Sequence, residues 1–311
     1  MAKIQYGPGV RFSNSTLNII QVANEIIEEY LLQGFDLTLR QLYYQFVARD
    51  YIANKQTEYK RLGDILNNAR LAGLVDWNAI VDRTRFLRSP SYWDSPEGVI
   101  RSAAYSFKVD KWQDQKCRIE AWIEKDALVG VIESVCSKNE IPYFSCRGYV
   151  SQSEMWSAAQ RIKRYYESRE QKTIILHLGD HDPSGIDMTR DISERISMFL
   201  SRDFDWTPGI FGIERIALNM DQIRQYNPPP NPAKTTDSRY DSYIRIHGQE
   251  SWELDALDPR TLSDLISNIV DQHIDRDKWG KHSDFESETK DTIRTIGYKF
   301  EEVRDFLREA E

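Results

Sequence analysis

The stretch that decides the fold is "HLGDHDPSGIDM", residues 177–188. It follows the apolar run "TIIL" (173–176), and a short apolar run bounded by turn residues is how a strand buried on both faces reads. Asp182, Pro183 and Ser184 then make a helix start, with aspartate as N-cap and proline at the first helical position. Strand, tight turn and helix in that order belong to a parallel βαβ unit. Asp180 is not needed for the cap, so a second carboxylate at the strand tip calls for its own explanation.

Working outward, the same rhythm repeats. "CRIEAWIE" (117–124) and "IPYFSC" (141–146) read as strands, and "IERIAL" (213–218) as one more. "DALVGVIESVCSKN" (126–139), "SQSEMWSAAQRIKRYYESR" (151–169) and "SGIDMTRDISERISMFL" (184–200) read as the helices between them. Alternating units of this kind predict an α/β fold, a Rossmann-like parallel sheet covered on both faces, with ligands at the carboxyl ends of the strands. Glu124 ends the first strand, and Asp180 and Asp182 follow the third, so three carboxylates converge on one edge. Their repulsion is costly without a cation, and hard oxygen ligands select Mg2+. The helix-cap reading of Asp182 stands beside this one. Asp187 is expected in solvent, His177 within the strand, and His181 lacks the neighbours of a zinc site.

Upstream, "STLNIIQVANEIIEEYLLQG" (15–34), "DLTLRQLYYQFVARD" (36–50) and "TEYKRLGDILNNARLAGLV" (57–75) space their apolar residues helically, with Gly34 ending the first. An extended "DWNAIVDRTRFLR" (76–88) follows. Three helices and a wing make a winged helix-turn-helix pattern. Lys60, Arg61, Arg70, Arg83, Arg85 and Arg88 fall on its third helix and wing, as phosphate contacts or as a solvated face. The expected division is a winged-helix domain over 1–112 and the α/β domain with a helical extension over 113–311. "YNPPPNPAKTTDSRY" (226–240) reads as a stiff surface segment. "SWELDALDPRTLSDLISNIVDQHID" (251–275) reads as an extended piece and a helix, and "SETKDTIRTIGYKFEEVRDFLREAE" (287–311) as an amphipathic helix.

Composition sets outer limits. A chain of 311 residues, 40% hydrophobic and 12% aromatic, can bury a core without staples. Three scattered cysteines make neither a disulfide framework nor a zinc site, and with no signal-like or membrane-length apolar run the expected location is the cytoplasm. The net charge is −8, unevenly spread: 16 Lys/Arg face 13 Asp/Glu in residues 1–118, against 25 and 36 in the remainder. The first third suits phosphates and the rest suits cations.

"WIEK", "RGY" and "GDHDPSG", each after a strand, resemble the Toprim domain of topoisomerases, primases and some nucleases. "IEKDA" with "DHDPSG" is most similar to the A subunit of topoisomerase VI and the meiotic double-strand-break protein. "LRQLYYQF" resembles that family's tyrosine motif, with Arg40, Tyr43 and Tyr44 in the matching order. "IERIALNMDQI" and "SWELDAL" look like its closing segments. The resemblance implies Mg2+ at Glu124, Asp180 and Asp182, Tyr44 as nucleophile aided by Arg40, and a homodimer in which the tyrosine of one subunit meets the metal site of the other. Lys125 is a further candidate phosphate contact, and Tyr43 the competing nucleophile. DNA is the implied substrate, with RNA still open. The chain carries no P-loop, so coupling to ATP would need a separate ATPase subunit. Two alternatives remain: a Toprim nuclease using metal-activated water, and a non-catalytic DNA-binding or scaffold subunit.

Overall fold

A computed structural model describes residues 3–6, 11–81, 90–203 and 209–309. The N-terminal helices are α1 (Asn14–Leu32), α2 (Leu39–Ala48) and α3 (Gln56–Leu71), and α4 (Pro96–Ser106) follows. The cap of α1 is Ser13, whose hydroxyl accepts from Thr16 N–H, two residues before the expected start. Thr38 and Gln41 form a reciprocal capping box on α2. Ile26, Tyr30, Leu42, Phe46 and Leu66 pack into one apolar cluster between the three helices. The expected wing is described only to Val81, where Leu37 and Ile80 make a parallel bridge. Arg83, Arg85 and Arg88 lie outside the described residues.

The α/β part runs β1 (Cys117–Ile123), a 3-10 turn over Asp126–Leu128, α5 (Val129–Lys138), β2 (Tyr143–Ser145), α6 (Gln152–Arg169), β3 (Lys172–Leu178), α7 (Pro183–Asp203) and β4 (Phe211–Ala217). These four strands are all parallel, in the order β2-β1-β3-β4. Leu176 and Leu178 of β3 face a cluster with α5, while Ile175 faces one with α6 and α7, so the sheet is buried on both sides as its unbroken apolar strands require. The chain leaves β1 toward β2 and later crosses to β3 on its other side. A crevice therefore opens at the carboxyl ends of β1 and β3, the topological switch point.

The remainder is α8 (Met220–Tyr226), β5 (Asn231–Pro232), α9 (Tyr240–His247), β6 (Glu250–Ser251), a 3-10 turn over Leu254–Ala256, α10 (Pro259–His273), α11 (Arg276–Tyr298) and α12 (Phe300–Glu309). The proline segment is not wholly irregular, since β5 pairs antiparallel with β6. The last long helix starts at Arg276, eleven residues ahead of the quoted stretch, because Asp275 caps it. α10 closes the α5 face of the sheet, and α11 packs on α4.

Candidate active site

Gly179 to Asp182 turn out of β3 under tight backbone restraint. His181 N–H donates to Trp252 O (2.8 Å) and Trp252 N–H returns to His181 O (3.0 Å), which fastens the 251–256 segment over the crevice. Arg215, on β4, reaches across with its guanidinium to the carbonyls of Gly179 (3.0 Å), Asp180 (2.6 Å) and Gly185 (2.9 Å). A β-carbon on Gly185 would stand 2.2 Å from Asp180 O. Only glycine lets the first turn of α7 sit this close to the loop.

The carboxylates meet here. Glu124 Oε2 accepts from Asp180 N–H (2.8 Å). Asp180 Oδ1 accepts from Leu254 N–H (2.8 Å) and pairs with Lys125 Nζ (2.9 Å). Asp182 Oδ1 caps α7, accepting from Gly185 N–H (2.6 Å) and Ser184 Oγ (2.9 Å). Its other oxygen, Oδ2, lies 3.6 Å from Lys234 Nζ. Among the described residues no group of three or more His, Cys, Asp or Glu side chains is arranged to hold a metal ion. Each of the three acids is engaged by an N–H, a hydroxyl or an ammonium.

Two acids that motif reading left without a role complete the cluster. Lys125 Nζ, expected at a phosphate or in solvent, pairs with Glu253 Oε2 (2.9 Å) and lies 3.5 Å from Asp255 Oδ2. Arg40 makes an ion pair with Glu253 and places Nε 2.7 Å from Asp255 Oδ2. Neither oxygen of the buried Asp255 carboxylate has an aligned hydrogen-bond donor, in spite of those close cations. The signal was available, for acids at 253 and 255 in an apolar segment need cations. Arg215 was equally legible as a cation inside a buried strand.

Charge explains the ionisation. Burial and the neighbouring Asp180 push the Glu124 carboxyl up to about 7. Burial likewise raises Asp180, against the pull of Lys125. Burial opposes the ionised form of Glu253 too, but Lys125 and Arg40 outweigh it and hold that carboxyl at about 2. Arg215, buried beside Glu124, Asp180 and Asp182, and Lys125 are cations that face these acids.

Tyr44 stands on the opposite wall. It lines one pocket wall with Glu253, and the Arg40 guanidinium lies 5.9 Å from its ring centroid. Burial and Glu253 push the phenol above its ordinary range, against Arg40 and Lys125. Both cations favour phenolate, and burial with Glu253 outweighs them. Tyr43 is spoken for, its hydroxyl donating to Asn54 Oδ1 (3.0 Å) and Lys55 O (3.2 Å). Beside Tyr44 a pocket of about 280 Å³ opens between α2, the N-terminal end of α3 and the 231–253 region, bounded by Arg40, Lys55, Tyr59 and Glu253.

The remaining candidates separate. Arg70 is a brace, since its guanidinium donates to Trp77 O and to Ile80 O (2.7 Å) and stacks on Trp77, so it is not a phosphate contact. Lys60 and Arg61 are exposed on α3, Arg61 pairing with Glu58 at 3.0 Å. Asp187 is not simply solvated: it accepts from Tyr149 Oη (2.7 Å) and pairs with Arg190 and Arg239. His181 Nδ1 meets Tyr243 Oη at 2.7 Å, and burial lowers that imidazole to about 4.

The fold and this edge define an α/β protein with a parallel four-stranded sheet and an acidic crevice at its switch point. No protein-family model matches the chain, and no curated protein matches it in sequence. Among the described residues no helix is long and apolar enough to cross a membrane.

Proposed function

We propose that this chain cleaves DNA in a Mg2+-dependent reaction resembling that of the topoisomerase VI A subunit, with Tyr44 as nucleophile. The observation that carries the reading is Glu253. One carboxylate pairs with both Arg40 and Lys125 and lines the pocket beside Tyr44, which supports reading the tyrosine helix and the acidic crevice as one site. Glu124, Asp180 and Asp182 would hold Mg2+, which when bound neutralises the scissile phosphate and the leaving 3′ oxygen.

The chain's own residues supply the remainder. A phosphodiester entering between Tyr44 and Lys125 draws Arg40 and Lys125 onto its oxygens, which frees Glu253 from the cations that depress its basicity. Glu253 then takes the phenolic proton, the Tyr44 oxygen bonds to phosphorus, and the bond from phosphorus to the 3′ oxygen breaks as that oxygen takes a proton from water. The products are a tyrosyl 5′-phosphate and a 3′ hydroxyl. A homodimer would present two such sites, one for each strand, each built within one chain where the resemblance implies a tyrosine and acids from different subunits, and a separate ATPase subunit would be needed only for strand passage. Lys60 and Arg61 supply sequence-independent phosphate contacts.

A hydrolytic nuclease is the second reading, favoured by the burial of Tyr44, whose exposure is 4%. A non-catalytic DNA-binding subunit is the third, favoured by Lys125, whose ammonium already answers Asp180 and Glu253. Supercoiled plasmid incubated with protein and Mg2+, stopped with detergent and examined with and without protease, separates the three. Protein-linked breaks that vanish in Tyr44→Phe and Asp180→Asn support the tyrosine mechanism. Free-ended breaks that survive Tyr44→Phe but not Asp180→Asn make it hydrolytic, and binding without any break leaves the third.

A further inference from the structure

The pocket beside Tyr44 is larger than a phosphate needs and far smaller than a duplex. Its volume is about 280 Å³, the low end of small-molecule pockets, where one nucleotide fits and a base pair with its backbone does not. Besides Glu253, whose carboxylate pairs with Arg40, the lining offers three kinds of group. Arg40 and Lys55 are cations, Tyr59 is a half-buried aromatic ring, and Gln56 and Asn231 carry amides. Phosphate, base face and base edge are the three parts of a nucleotide that such groups recognise.

The walls are built independently of any ligand. Tyr59 is held edge-on against Tyr43, with ring centroids 5.3 Å apart. Asn54 is locked between the Tyr43 hydroxyl and the Asn231 amide oxygen, the latter at 2.8 Å. That bond ties the α2–α3 turn to the proline segment, so the pocket spans two distant parts of the chain. Fixed aromatic and amide walls lower the cost of ordering a guest.

We infer that this pocket receives a single unpaired nucleotide of the substrate strand next to the scissile phosphate, with its base against Tyr59 and its phosphate toward Arg40 and Lys55. The inference rests on the DNA-cleaving reading and narrows it: the substrate is DNA carrying an unstacked nucleotide at the cut, since a fully paired duplex cannot place a base there without extruding it.

The test measures binding rather than cleavage, using the full chain in EDTA. Three labelled DNAs of one sequence are compared: a fully paired duplex, the same duplex with a one-nucleotide bulge, and the single strand. The bulged duplex and the single strand are expected to bind at least about ten-fold more tightly than the paired duplex, the size of one base–aromatic stack. Tyr59→Ala should abolish that preference and Tyr59→Phe keep it. Gln56→Ala, at an exposed position harmless to folding, should change the preference among the four bulged bases. Equal binding of all three DNAs, no binding of any, or a preference that survives Tyr59→Ala would overturn the inference. A bulge preference in a protein that breaks no plasmid would sustain the pocket while the catalytic reading falls. Breakage without the preference would do the reverse.

Discussion

Gly185→Ala is the sharpest probe of how the crevice is built, because two effects of opposite sign compete there. Gly185 lies in the first turn of α7, and at an ordinary helical position the replacement of glycine by alanine stabilises by up to about 1 kcal/mol. Here the added β-carbon would stand 2.2 Å from Asp180 O and 3.0 Å from its carbonyl carbon. Restoring a normal contact takes roughly 1 Å of backbone movement. Three bonds cross that gap or anchor its sides: Gly185 N–H to Asp182 Oδ1 at 2.6 Å, and Arg215 to the carbonyls of Gly185 at 2.9 Å and Asp180 at 2.6 Å. A shift of that size weakens at least one of them, and a hydrogen bond to a charged group is worth about 1.5–3 kcal/mol. The expected result is a net loss of about 1–2 kcal/mol in urea unfolding followed by tryptophan fluorescence, with plasmid cleavage reduced because Asp180 and Asp182 are displaced. A variant as stable as the parent, or more so, would refute the close-packing account of the loop.

Other expectations follow from single contacts. Burial, with Arg215 nearby, lowers the His177 imidazole from 6.5 to about 3, so its contribution is complete above pH 6.5 and is lost as the pH falls below that value. The loss reaches about 2 kcal/mol at pH 5, and His177→Gln should flatten this limb in urea titrations at pH 7.5 and 5. Lys125→Met leaves Asp180, Glu253 and Asp255 short of a cation and should cost about 3–5 kcal/mol, read as a fall in the urea midpoint; no fall would mean the ammonium is not what balances the cluster. Arg70→Met should lower stability while leaving the salt dependence of DNA binding unchanged, whereas Lys60→Gln should reduce the log–log salt slope by about 1. An Arg70→Met slope as altered as that of Lys60→Gln would return Arg70 to the phosphate contacts.

The parallel sheet was readable because its strands are short apolar runs and two of its helices carry explicit caps, Ser151 for α6 and Asp182 for α7. The helices left unassigned fared differently for a physical reason. α4 has a serine cap and an early proline, Ser95 and Pro96, but what it packs on is α11, nearly two hundred residues away, which no local pattern contains. The same holds within the site. Glu124, Asp180 and Asp182 were legible as strand-end acids, and the structure ties Glu124 to the Asp180 backbone while Asp182 caps α7. That Glu253 would join Arg40 to Lys125 depended on the strap of chain over the crevice, a tertiary contact made by His181 and Trp252. The ionisation of Tyr44 depends on folding for a related reason: the sequence displays the neighbouring arginine, while burial and the facing carboxylate arise only in the fold.

The strand order has one more consequence, for behaviour at high concentration. An open parallel sheet has two unpaired margins, each a template on which a foreign strand can add. On one margin β2 offers only three residues, Tyr143–Ser145. On the other, β4 alternates exposed and inward residues, sets Glu214 and Arg215 side by side, and loses its regular register opposite His177 and Leu178. A short margin and a charged, irregular one both discourage edge-to-edge growth, so the apolar sheet that carries the crevice is protected against fibrous self-association by the same strands that frame it.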